Sequence, residues 1–149
     1  MTQDSTTPRV AVAGYSLTAL LLPVPVVCFI GALVTDITYA NSALIQWADF
    51  SAWLLAVGTA AGVIALLFAL IDRLTGDRDG RSLLAWGQLA VAASLLIVAL
   101  FNNFVHARDG WTSVVPTGLT LSVVTVALIV VASLLGHLLR TRTVPEDAR

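Results

Sequence analysis

Four long apolar runs, separated by short clusters of charge, set the pattern of the chain. Between Arg9 and Asp36 lie 26 residues without Asp, Glu, Lys or Arg, between Asp49 and Asp72 another 22, and between Arg81 and Arg108 another 26. From Gly110 to Leu139 run 30 more, with His137 as the one ionisable group. A helix of about 20 apolar residues crosses roughly 30 Å of hydrocarbon, so each run is long enough to span a membrane. The pattern predicts an all-α membrane protein, a four-transmembrane-helix bundle. Its expected spans are residues 12–35, 51–71, 82–105 and 117–139, in a single domain over 1–149 with polar tails at 1–9 and 141–149. The first run exceeds the about 7–15 residues of a signal-peptide core, so it is expected to be a retained helix.

Composition agrees with this pattern. Of 149 residues, 58% are hydrophobic and 11% charged, where a soluble domain carries about a quarter charged. This excludes a disordered chain and argues against a water-soluble domain. A net charge of −1 offers no basic face for nucleic acid. Cys28 is the single cysteine, which excludes an internal disulfide and a cysteine metal cluster.

Arginine placement sets the expected orientation. With four spans, Arg9, Arg73, Arg78, Arg81, Arg140, Arg142 and Arg149 fall on one side, and Arg108 alone on the other. Positive residues are retained in the cytoplasm, so both termini are expected to be cytoplasmic in a plasma (inner) membrane. Tyr39, Trp47, Trp53 and Trp111 are expected at the outer interface, Tyr15 and Trp86 at the inner one. Residues 43–47 read as a short interfacial helix or an ordinary loop.

Within the spans, Pro23 and Pro25 are expected to kink the first helix, because proline lacks an amide donor and clashes with the preceding turn. Gly58 and Gly62, with Ala56 and Ala60, form a smooth face on the second span. Small residues four apart allow close helix contact, either inside the bundle or in an oligomer interface. The third span ends with Asn102, Asn103, His106 and Arg108, which with Asp36 form a candidate outer polar site. They are expected to reach into the headgroup layer, where solvation is cheap, with Asp36 closing the first span and pairing with Arg108. Asp72, Arg81, Gln88 and His137 form a candidate inner cluster, with Asp72 pairing Arg81 or Arg140.

Four-helix membrane bundles can hold haem between paired histidines, but His106 and His137 fall at opposite ends of adjacent antiparallel spans. Nearly the whole bilayer separates them. The sequence holds no HExxH or CxxC motif and no phosphate loop or catalytic carboxylate pair. No catalytic residue, metal or cofactor is expected.

The landmarks resemble an uncharacterised bacterial family of four-span membrane proteins. The resemblance rests on Leu22-Pro23-Val24-Pro25 followed by Asp36, on Gly58, Gly62 and Asp72, on Asn103 and Arg108, and on Leu121-Ser122 and Leu135-Gly136-His137-Leu138. It covers roughly residues 17–140 and implies topology without an activity. The family's histidines fall here at about Thr18-Ala19 and near Gly87 or Gln88, so this chain lacks them. The resulting expectation is a non-catalytic structural or interaction protein of the bilayer, self-associating or part of a larger complex. Two alternatives are carried forward. One is a small oligomeric channel or transporter lined by Gln88, Asn102, Thr120, Ser122 and Thr125, and the other a haem- or quinone-binding redox subunit.

Overall fold

The computed structural model describes residues 17–75, 83–108 and 114–142. Tyr15, Arg81, Trp111 and most of the two polar tails lie outside the described residues, as do the side chains of Arg140 and Arg142. The elements are α1 (Leu17–Leu21), α2 (Pro23–Ser42), α3 (Ile45–Thr75), α4 (Leu83–His106) and α5 (Leu119–Arg142), with a wide-pitch turn over Val114–Gly118 leading into α5. Four spans are long and apolar enough to cross a membrane: Thr18–Ser42, Ile45–Leu74, Ala85–His106 and Val114–Leu138, with mean hydropathy from 1.9 to 2.6. There is no strand among the described residues.

The first span is kinked where the prolines stand. The α-helix is interrupted at Leu22 between α1 and α2, because Pro23 and Pro25 remove two rungs of the backbone ladder. At its other end the helix does not stop at the acid. It runs six residues past Asp36 to Ser42 and is closed by Ala43, which adopts a left-handed conformation (φ 54°) and donates its N–H to the Tyr39 carbonyl at 2.8 Å. Residues 43–47 form neither a separate interfacial helix nor an extended loop, since α3 begins at Ile45. At 31 residues and 1.5 Å per residue, α3 is about 46 Å long and overshoots the hydrocarbon layer. Tyr39 is buried in the bundle instead of lying at the interface, while Trp53 and Trp86 are exposed on its surface.

Each span borders two others, in the cyclic order α2, α3, α4, α5. One helical stripe per span faces the centre: Phe29, Ala32, Asp36 and Tyr39 on α2, and Ser51, Leu55, Gly58, Gly62 and Ala65 on α3. The stripe on α4 is Leu95, Ala99 and Asn102, and on α5 Ser122, Thr125 and Ile129, continued by Gly118 at the end of the preceding turn. These are 3- and 4-residue steps of a helix. Only 17–28% of each span is buried, so the bundle meets lipid over most of its surface. Lipid supplies no hydrophobic drive for helix association, which leaves close packing and interhelical hydrogen bonds to hold the helices together.

The glycines of α3 serve that packing. A Cβ on Gly58 would lie 2.9 Å from Cys28 Cβ and 3.0 Å from Phe29 Cε1, and one on Gly62 would lie 2.6 Å from Leu96 Cδ2. Gly58 and Gly62 therefore admit α2 and α4 of the same chain. Of the two readings, packing inside the bundle is the one that Gly58 and Gly62 serve here, both being buried, while Ala56 and Ala60 face outward. Gly58→Ala is expected to destabilise the bundle by about 1–3 kcal/mol through overpacking against the rigid base of Cys28. Gly87→Ala has nothing within 4 Å of the added Cβ and is expected to be neutral or stabilising by up to about 1 kcal/mol, from helix propensity. Unfolding in mixed detergent–SDS micelles measures both.

Candidate functional site

The central stripe of three spans carries polar residues at one level, near the end where α2 turns into α3. Extension of α2 beyond Asp36 places this acid inside the span. Helical phase aligns it with Phe29, Ala32 and Tyr39, so it points inward. Asn102 and His106, four residues apart on α4, share a face. Ser122 sits on the inward stripe of α5, one turn after Gly118.

These four residues form one hydrogen-bonded cluster. Ser122 Oγ donates to Asp36 Oδ2 at 2.6 Å, and Asn102 Nδ2 donates to Ser122 Oγ at 2.8 Å. His106 Nε2 lies 2.9 Å from Asp36 Oδ1, and His106 Nδ1 lies 3.0 Å from the Asn102 carbonyl. The side chains of His106 and Asp36 are 1% and 0% exposed. A carbonyl only accepts, so Nδ1 carries a hydrogen. One further proton lies between Nε2 and Oδ1, giving imidazolium and carboxylate or imidazole and carboxylic acid. Either way the pair is neutral as a whole, as burial inside a membrane demands. Asn102 Oδ1 is buried and accepts no hydrogen bond from the described residues.

Two further contacts draw in α3. Asn103 Nδ2 donates to Thr59 Oγ1 at 2.9 Å and to the Ala99 carbonyl at 2.8 Å. The Thr35 and Ser51 hydroxyls are 2.6 Å apart, with Thr35 next to Asp36 in the chain. Polar bonds thus connect all four spans at this level. Gly118 makes room for the imidazole, since a Cβ there would lie 2.7 Å from His106 Cε1 and 3.3 Å from Nδ1.

The structure therefore brings Asp36, Asn102 and His106 together and leaves out Arg108, which is exposed past the end of α4. The expected Asp36–Arg108 pair gives way to Asp36–His106, because Asp36 is enclosed two turns below its helix end. Nor do Asn102 and His106 reach for headgroups. Ser122 was missed as a partner of Asp36, although its phase with Gly118, Thr125 and Ile129 marks it as inward-facing.

At the opposite end no hydrogen bond or ion pair joins Asp72, Gln88 and His137 among the described residues. Asp72 is exposed and accepts a hydrogen bond from Thr18 Oγ1 at 3.3 Å. His137 is exposed, and Arg81 is outside the described residues. From Gly118, which touches His106, His137 lies nineteen residues along the chain, or roughly 28 Å at helical rise, so the two imidazoles cannot share a haem. Gln88 and Thr18 instead line a chamber of about 510 Å³ between the four spans, and the kinked segment at Pro23 and Pro25 forms part of its wall. There is no group of three or more His, Cys, Asp or Glu arranged for a metal among the described residues.

Four apolar spans closed around an intramembrane polar cluster define a polytopic α-helical membrane protein. Residues 14–144 match the family model described as "Predicted membrane protein (DUF2231)", an uncharacterised family, and the chain belongs to that family. No curated protein and no solved structure gives a significant match.

Proposed function

We propose that the protein is a non-catalytic structural bundle of a bacterial inner membrane, whose intramembrane polar groups serve its own assembly. The observation that carries this reading is the closed Asp36–His106–Ser122–Asn102 cluster. Its donors are turned on one another, and it ties α2, α4 and α5 at a single level. Although Asp36, His106 and Ser122 are the residue types of a hydrolytic triad, they are wired in a different order. The serine donates to the carboxylate and not to the imidazole, so it lacks the histidine base that activates such a nucleophile. Ser122 is also 1% exposed, out of reach of substrate.

The placement of the candidate channel residues favours this reading over a channel, since Gln88 lies apart from the others on the chamber wall. Asn102 Nδ2 and Ser122 Oγ are bonded to each other within the bundle, and Thr120 is exposed and bonded to the Pro116 carbonyl. Arginine placement supports cytoplasmic termini, with the α3–α4 connection on the same side. Any partner, a second copy included, would meet the outward surface that carries Ala56 and Ala60 and not the occupied Gly58–Gly62 face.

Proteoliposomes test the reading against a proton relay. The expected result is no proton flux above that of empty vesicles, for wild type and for Asp36→Asn alike. A flux that requires Asp36 would overturn the structural role and make the acid a relay group.

A further inference from the structure

We draw no further inference here: the strongest candidate, the largely apolar chamber between the four spans, has Arg73 in its wall already engaged within the chain, and nothing in the structure shows what covers or fills it.

Discussion

Replacing His106 by alanine is expected to be the most damaging single change in the bundle, costing about 3–5 kcal/mol of stability. The imidazole is bonded on both sides, to the Asn102 carbonyl and to Asp36. Its loss strands a 0%-exposed acid inside a membrane span and leaves a void the size of the ring. Asp36→Asn should behave differently. An asparagine oriented with its oxygen toward Ser122 accepts that hydroxyl and offers Nδ2–H to a neutral His106 Nε2. No polar group of the pair is then unsatisfied, and the expected cost is below about 1 kcal/mol. The double variant Asp36→Ala/His106→Ala should cost less than the sum of the two alanine variants, because removing both partners leaves no lone charge. SDS-driven unfolding in mixed micelles measures all four proteins. A loss below about 1 kcal/mol for His106→Ala would show that the pair does not hold the helices together.

The contrast between His106 and Arg108 shows what could be read from the chain before its fold was known. Number and order of spans followed from apolar length alone, because membrane thickness is a physical ruler. The kink at Pro23 and Pro25 followed from the missing amide hydrogens. The polar site was harder, because a charge-free run marks where ionisable groups are absent and not where a helix ends. Taking Asp36 as the end of the first span sent it toward Arg108. The helix continues through Ile37, Thr38, Tyr39 and Ala40 to Ser42, and its phase then decides the matter. Asp36 stands seven residues after Phe29 and four after Ala32, on the stripe that faces the centre.

Phase also separates residues that composition treats alike. Gly58 and Gly62 fall on the central stripe of α3, and Ala56 and Ala60 do not. Which helix Gly58 and Gly62 meet depends on the bundle's cyclic order, a non-local property with no mark in α3 itself. The chamber was illegible for the same reason. It arises where small residues of several spans, Gly62, Ala65, Ala92 and Ala132 among them, come level beside the kinked segment. No single span announces it.

Gly118→Ala is expected to lose about 3 kcal/mol, the sum of overpacking at about 1–3 kcal/mol and an unsatisfied buried group at about 1–3 kcal/mol. The added methyl would sit 2.7 Å from His106 Cε1, closer than packed carbon atoms tolerate. A flexible side chain could swing aside, as Leu96 can beside Gly62. His106 has no such freedom, because Nδ1 is bonded to the Asn102 carbonyl and Nε2 faces Asp36. Moving the ring by enough to relieve the contact lengthens one or both of those bonds. The damage therefore passes from a packing position in the turn before α5 into the polar cluster, although Gly118 makes no polar contact of its own. A double-mutant cycle isolates this route. In a His106→Ala background the atoms that meet the new methyl are gone, and Gly118→Ala should then cost less than about 1 kcal/mol. An undiminished penalty in that background would place the clash elsewhere and remove Gly118 from the account of how the cluster is held.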